Sequence, residues 1–318
     1  MLKRIFGVLA CTVIMGGAFG DTFPSKPVRM IVAFPPGQAT DIVARLLGEE
    51  LTKTWGVQVV IDNRAGGNNI PGTVAGKIAP ADGYTITFGT SSALAVNPSL
   101  YTKLPYDTAK DFAMVGGVFI SPWLIVSNPS TPYNTLREMV ATAKKNPNAL
   151  TWGYGATALQ LGAELFKYRA GIDIVGVPYK GSGPATVDLM GGQIMVGSNS
   201  VTGALPQIKA GKLKALAVDS PTRSALLPDV PTVAEAGVPG YEGGTYSLVV
   251  GPVAMPASAV NRLNAALNEV LRKPAVRERY TQLGLVPMPK TAAETADFVA
   301  RETAKWAKVM KEANIQIQ

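Results

Sequence analysis

The stretch Ala33–Asp41 reads AFPPGQATD, and it joins an apolar run to a helical pattern. The run, Val28–Phe34, is typical of a buried strand, and apolar residues recur at helical spacing over Asp41–Lys53. Two prolines stiffen the junction, and Gly37 permits backbone angles that other residues rarely adopt. We expect the amides from Gly37 to Thr40 to be free at a helix N-terminus, where the helix dipole favours an anion. A plain connection with Thr40 as N-cap is the alternative.

Strand-like runs alternate with helical periods along the chain, and this order favours parallel sheets flanked by helices, an α/β fold. The runs are Val28–Phe34, Val57–Asp62, Thr85–Thr90, Trp123–Ser127, Leu150–Gly153, Ile172–Tyr179, Gln193–Ser198, Lys214–Ser220 and Thr245–Gly251. Capping boxes predict three helix starts, at Thr135 with Glu138, Thr232 with Glu235, and Thr291 with Glu294. Ligands of open α/β sheets bind beyond the carboxyl ends of the strands, so the segments that follow strands are the candidates for a site.

Three more segments of this kind follow predicted strands: Ser91–Pro98, Gly153–Gln160 and Tyr179–Ala185. In the second of them, two glycines bracket Tyr154 and a helix opens through Ala156 and Thr157. We expect the Tyr154 ring to point out of the end of the sheet, although a core position is the alternative. In the third, Lys180 lies between an aromatic ring and a glycine loop, either as a donor to an anion or as a solvated lysine.

The residue inventory argues against most enzymes. The chain has no histidine and one cysteine, Cys11. The commonest general base, the Ser-His-Asp arrangement and most zinc sites are therefore excluded. A hydrolase that uses Lys180 with Ser182 is not expected, because the two residues lack the Ser-x-x-Lys spacing and no Gly-x-Ser-x-Gly elbow is present. We expect no catalytic residues, no metal and no cofactor.

The N-terminus has the pattern of a signal peptide over residues 1–20. Lys3 and Arg4 precede a short apolar run, and small residues follow it up to Gly20. Cleavage there predicts a periplasmic protein; lipidation of Cys11 is the less favoured alternative. Of 30 basic residues, 28 then remain against 22 acidic ones, a net charge of +6. The basic residues are scattered, so nucleic acid is not an expected partner, whereas anionic ligands are.

Several longer segments resemble the Bug/TctC family, the extracytoplasmic solute receptors of tripartite tricarboxylate transporters. They are PSKPVRMIVAFPPGQATDIVARLL, VIDNRAGG, APADGYTITFGTSS, NPSLYTKLPYD, KDFAMV, GVPYKGSGPA, GGQI, IKAGKLKALAV, LPDVPTVAEAGVPGY and AKWAKVMKEANI. The resemblance extends from Asp21 to the C-terminus.

The resemblance implies a type II periplasmic-binding-protein fold, in which two α/β lobes close on a ligand. Lobe 1 is then residues 21–122 plus 243–318, and lobe 2 is residues 123–242. It also implies a carboxylate ligand held by loop amides from both lobes, membrane transporter components as partners, and a monomer. The candidate site residues either match the family's binding loops or lie in segments that follow predicted strands. They are Phe34, Gly37, Gln38, Ala39, Thr40, Asp41, Ser91, Ser92, Tyr154, Gly155, Ala156, Thr157, Tyr179, Lys180, Gly181 and Asn199.

Departures from the family pattern bear on the ligand. Gln38 and Ala39 stand where family members commonly have glycines, and Gln160 stands where many have histidine. Asn199 cannot supply a negative charge to balance a ligand ammonium, so we expect carboxylates without an ammonium group. Phe34, Tyr154 and a further tyrosine, Tyr179 or Tyr246, would give an aromatic-lined pocket. That predicts an aromatic mono- or dicarboxylate such as terephthalate; an aliphatic di- or tricarboxylate (citrate- or adipate-like) and a ligand sensor for a two-component system are the alternatives.

Overall fold

The computed structural model describes residues 23–155, 157–179, 181–241 and 243–312. The predicted signal peptide with Cys11 lies outside the described residues, as do the candidate site residues Ala156 and Lys180. In the part of the chain that the structure describes, no helix combines the length and the apolar character that crossing a membrane requires.

One β-sheet has six strands: β1 (Val28–Val32), β2 (Val59–Asn63), β3 (Thr85–Thr90), β4 (Phe112–Ser121), β10 (Thr245–Pro252) and β11 (Val286–Pro287). Their order is β11-β4-β10-β3-β1-β2. β1 runs parallel to β2 and β3, whereas β10 is antiparallel to β3 and β4. The carboxyl ends of β1, β2 and β3 therefore share one edge of this sheet.

A second β-sheet has five strands: β5 (Trp123–Ser127), β6 (Thr151–Tyr154), β7 (Val175–Pro178), β8 (Val196–Ser200) and β9 (Lys214–Val218). Their order is β7-β6-β8-β5-β9. β6 is parallel to β7 and β8, and β5 is antiparallel to β8 and β9. The carboxyl ends of β6, β7 and β8 therefore lie together, which brings the loops that follow them to one edge.

Helices cover both sheets. They are α1 (Ala39–Trp55), α2 (Ile70–Lys77), α3 (Asn97–Leu100), α4 (Thr108–Asp111), α5 (Leu136–Lys145), α6 (Thr157–Ala170), α7 (Ser182–Met190), α8 (Val201–Lys209), α9 (Ala257–Arg272), α10 (Pro274–Gln282) and α11 (Ala292–Glu312). Their apolar residues recur every three or four positions, so one face of each longer helix is buried. In α1, for example, Val43, Leu47 and Leu51 are buried in the core of the first sheet.

The chain passes from one sheet to the other twice. β4 ends at Ser121 in the first sheet, and β5 begins two residues later in the second. The return connection runs from the end of β9 at Val218 to the start of β10 at Thr245. The α/β fold with two sheets is as the sequence predicts.

Two local expectations differ from the structure. β4 was not predicted, because Gly116 and Gly117 interrupt its strand-like pattern. A Cβ at Gly117 would lie 2.4 Å from the carbonyl oxygen of Met288, so this glycine permits close approach of the neighbouring chain. The capping box of Thr232 with Glu235 forms both of its hydrogen bonds, but it opens only a turn, which ends at Gly237 with φ of +102°.

Candidate ligand-binding site

The loop between β1 and α1 forms the first part of the candidate site. Helix α1 begins at Ala39 with Gln38 as its N-cap, so the alternative in which Thr40 is the N-cap is wrong. Gly37 has φ of +84°, as expected of a glycine that turns the chain into the helix. The amides of Ala39 and Thr40 lie in the first turn, where the N–H groups of an α-helix have no acceptor within the helix.

Asp41 anchors this loop from within and is itself only 1% exposed. Its carboxylate accepts the Gly37 N–H at 2.8 Å, the Arg45 Nε at 2.9 Å and the Asn63 Nδ2 at 2.8 Å. Burial acts to raise the pKa of Asp41, but these three donors together lower the pKa below its ordinary value. The Gly37 amide is therefore not free, contrary to the prediction, because it donates to Asp41. The Asp41 side chain, which was predicted to contact the ligand, instead forms hydrogen bonds that stabilise the loop.

Residues that the sequence analysis did not select hold the loop from beneath. The side-chain amide of Asn63, at the end of β2, also donates to the Phe34 carbonyl at 2.9 Å. That of Asn69 donates to the Ala33 carbonyl at 2.9 Å. A Cβ at Gly72 would lie 2.6 Å from the Ala33 Cβ, so α2 packs directly against the end of β1. The available signal was the asparagine- and glycine-rich segment Asn63–Gly72.

Two loops of the second sheet lie in backbone contact. A Cβ at Gly155 would lie 2.1 Å from the Gly181 carbonyl carbon and 2.3 Å from the Ser182 nitrogen. Gly155 leads into α6, and Gly181, with φ of +110°, is the N-cap of α7. The structure therefore brings the starts of α6 and α7 together. The two loops that precede these helices, which the sequence predicts separately as parts of a site, lie side by side.

The prediction that Tyr154 points out of the sheet end is wrong. Its side chain is 9% exposed and belongs to the hydrophobic core, where a Cβ at Gly176 of β7 would meet the phenol ring at 2.9 Å. Burial raises the pKa of the Tyr154 hydroxyl. The ring faces inward because Gly176 on the adjacent strand leaves space for it. Tyr246 is likewise a core residue, 3% exposed, and its ring centroid lies 4.7 Å from that of Phe298.

Three other predicted residues have internal partners. The half-buried Tyr179 donates its hydroxyl to Asp188 Oδ2 at 2.8 Å. Asn199 is buried, and its side-chain amide donates to Thr186 Oγ1 at 2.8 Å. The half-buried ring of Phe34 packs against the core of the first sheet.

A small enclosed chamber of about 20 Å³ lies where the two sheets approach each other. Its described walls include Ser91, which follows β3, together with Ala158 and Leu159 of the first turn of α6. Ser198, which was not predicted as a site residue, also lines the chamber. Ser92, the residue after Ser91, is half-buried. Ligand pockets usually exceed about 300 Å³, so the chamber alone is too small to hold a ligand.

A second concave surface lies elsewhere, between α11 and the segment 98–112. This groove encloses about 1140 Å³, and its described lining includes Tyr101, Asp107, Ala300 and Ala304. No predicted site residue is among the described residues that line it. Within the described ranges, no group of three histidine, cysteine, aspartate or glutamate side chains is placed to hold a metal ion.

The two α/β lobes and the loops at their facing edges define the class of protein, a type II periplasmic binding protein. The model of the tripartite tricarboxylate transporter family receptor, TctC, matches residues 43–315. The chain therefore belongs to this family, which consists of periplasmic solute-binding receptors rather than enzymes.

Known proteins of this kind resemble nine tenths or more of the chain. Protein BugT of Bordetella pertussis is 37% identical over 321 residues, which covers 100% of this chain and 98% of BugT. The structure of Rpa4515 from R. palustris with adipate is 33% identical with a TM-score of 0.73, covering 92% and 98% of the two chains. MatC from Rhodopseudomonas palustris with bound malate is 30% identical with a TM-score of 0.70, covering 90% and 99%.

Proposed function

We propose that this receptor captures a carboxylate anion between lobe 1, residues 21–122 plus 243–318, and lobe 2, residues 123–242. The carboxylate groups bind at the first turns of α1 and α6, where unpaired amides and the helix dipole favour negative charge. The observation that carries this proposal is that Ser91, which follows β3 of the first sheet, and the first turn of α6 line the same chamber. A ligand bound next to this chamber would touch both lobes, and closure would be stabilised by contacts that each lobe supplies.

The positions of the aromatic rings in the structure argue against the aromatic ligand that the sequence predicts. Tyr154 and Tyr246 lie in the core, so two of the four rings proposed for an aromatic wall are excluded from it. Of the other two, Tyr179 is tied to Asp188 and Phe34 packs on the first sheet. We therefore favour an aliphatic dicarboxylate over terephthalate or another phthalate isomer. The relatives solved with adipate and malate support this choice.

A calorimetric panel tests the ligand class on the full-length protein. We expect adipate or malate to bind with micromolar affinity, which corresponds to about −8 kcal/mol. Terephthalate, nicotinate and glutamate should bind at least tenfold more weakly, glutamate because the Asn199 side chain supplies no negative charge to its ammonium group. Tight binding of glutamate alone would contradict the proposal that the ligand carries no ammonium group, and tighter binding of terephthalate than of adipate would restore the aromatic ligand.

Replacing Thr157 by proline tests the second-lobe amide directly. Proline is well accepted at the first position of a helix, so Thr157→Pro removes one N–H and leaves α6 in place. A hydrogen bond to a charged group contributes about 1.5–3 kcal/mol, so the dissociation constant should rise about tenfold or more. Ala257→Pro, at the exposed first position of α9, is the matched control and should bind like the wild type. Equal affinity of the Thr157 variant would exclude this amide from the site.

The remaining assignments follow from the family. We propose that residues 1–20 direct export and are cleaved near Gly20, and that the mature monomer delivers its ligand to the membrane components of a tripartite tricarboxylate-type transporter. A sensor role in a two-component system is distinguished by the protein that the liganded receptor captures, a transporter subunit or a sensor kinase. Gln160, Lys180 and Gln38 stay predictions as ligand contacts or specificity determinants.

A further inference from the structure

Both connections between the sheets meet one buried carboxylate, that of Asp219. This residue directly follows β9 and is 6% exposed. Its Oδ1 accepts the N–H of Trp123, the first residue of β5, at 2.6 Å. Its Oδ2 accepts the N–H of Gly244, the residue before β10, at 2.7 Å. Trp123 follows the first crossing and Gly244 ends the second, so one side chain joins the two crossings.

The backbone around the Asp219 carboxylate includes a returned hydrogen bond and two adjacent glycines. The Asp219 N–H donates in return to the Trp123 carbonyl at 2.9 Å, which makes the first contact two-sided. A Cβ at Gly243 would lie 2.5 Å from Asp219 Oδ2 and 2.7 Å from the Tyr241 hydroxyl oxygen. Gly244 has φ of +79°, a conformation that favours glycine. The return crossing therefore has space for the carboxylate because Gly243 carries no side chain, and Gly244 provides the backbone turn beside it.

We propose that Asp219 is the positioning residue of the hinge: its carboxylate holds both crossings in one geometry and so sets the angle at which the two lobes meet. The proposal does not depend on which carboxylate the receptor binds. A carboxylate can accept two N–H groups at once, whereas a carboxamide or an acid presents a donor to one of them. Loss of the charge should therefore release one crossing and widen the range of lobe orientations.

The charge on Asp219 should depend on pH near neutrality. Burial raises the pKa of this carboxyl to about 7, although the N–H groups of Trp123 and Gly244 act in the opposite direction. The neighbouring titratable groups are Lys305 of α11, whose Nζ lies 2.5 Å from Glu302 Oε1, and the buried hydroxyl of Tyr241. As the pH falls through 7, protonation puts a hydrogen on one accepting oxygen, and the clamp loosens.

Spin-label distances between the lobes test the proposal without any ligand. Labels at Lys144→Cys on α5 and Arg277→Cys on α10, both exposed, report the lobe angle in a Cys11→Ala background. We expect the distance distribution to broaden roughly twofold in Asp219→Asn, which keeps the side-chain volume, and similarly in Gly243→Ala, which displaces the carboxylate. Ser220→Ala is the matched control, because that buried hydroxyl donates to the Thr222 carbonyl within its own loop. Wild-type widths in both folded variants would overturn the proposal.

A pH profile of the wild type separates positioning from a general structural role. The distribution should broaden between about pH 8.5 and pH 5.5, while circular dichroism stays constant. Trp123 and Trp306 line the same chamber as Asp219, so their fluorescence should titrate over the same interval. Both changes should be absent in Asp219→Asn. A wild-type distribution that does not change with pH, or an equal change in the variant, would contradict the assigned role of this carboxylate.

Discussion

Gly155→Ala should weaken ligand binding roughly tenfold to a hundredfold and lower thermal stability, with the rest of the fold retained. The added Cβ would lie 2.1 Å from the Gly181 carbonyl carbon and 2.4 Å from its oxygen. These are backbone atoms, so they cannot rotate away as a side chain would, and the loops before α6 and α7 must separate. Overpacking of this kind typically costs about 1–3 kcal/mol, and here it displaces the amides that we assign to the ligand.

Gly183→Ala is the matched control for this experiment. Gly183 lies two residues beyond Gly181 in α7, and a Cβ there meets no atom within 4 Å. Alanine in a helix should stabilise the protein by up to about 1 kcal/mol relative to glycine and leave affinity unchanged. Isothermal titration calorimetry and thermal unfolding of both variants provide the comparison. Wild-type affinity in Gly155→Ala would show that the contact between these loops does not shape the site.

Asp41→Asn should destabilise the protein by roughly 2–3 kcal/mol and weaken binding about tenfold. All three partners of the Asp41 carboxylate are donors, so the new amide nitrogen must face one of them. Asn63 cannot reorient without losing its hydrogen bond to the Phe34 carbonyl. Urea unfolding measures the stability, and Asp62→Asn is the control, because its ion pairs with Arg29 and Arg64 lie at the surface and contribute less than about 1 kcal/mol.

The effect of Asp41 should also depend on pH. The folded-state pKa lies below the ordinary value of 3.8, so the stabilisation is complete above that value. It is lost as the pH falls through the folded-state pKa. The stability difference between the wild type and Asp41→Asn should therefore be constant near neutral pH and shrink below about pH 4. A difference that grew on acidification would contradict the proposed contacts.

The sequence predicted the fold because strand-like runs and helix signals alternate clearly. The β3 and β5 ranges agree with the structure at both ends, and two of the three capping boxes open helices. β4 was missed because its paired glycines, which the packing of Met288 and α9 requires, weaken the local pattern. Propensity is a property of short segments, whereas such close approaches depend on distant parts of the chain.

The sequence predicted the loop glycines of the candidate site better than the directions of its side chains. Gly37, Gly155 and Gly181 stand where loops turn or touch, and glycine itself signals this. The direction of the Tyr154 ring depends on the space above Gly176 of the neighbouring strand, which no local pattern encodes. The role of Asp219 likewise required knowledge of both crossings, since its partners are Trp123 and Gly244.

A crystal structure of the full-length protein with adipate tests the central claim most directly. We predict one carboxylate within about 2.7–2.9 Å of first-turn amides of α1, at Ala39 or Thr40, and the other at the first turn of α6, with Ser91 below the ligand. Both lobes should contact the same molecule. Adipate bound in the groove between α11 and the segment 98–112, or held by one lobe alone, would contradict this account of the receptor.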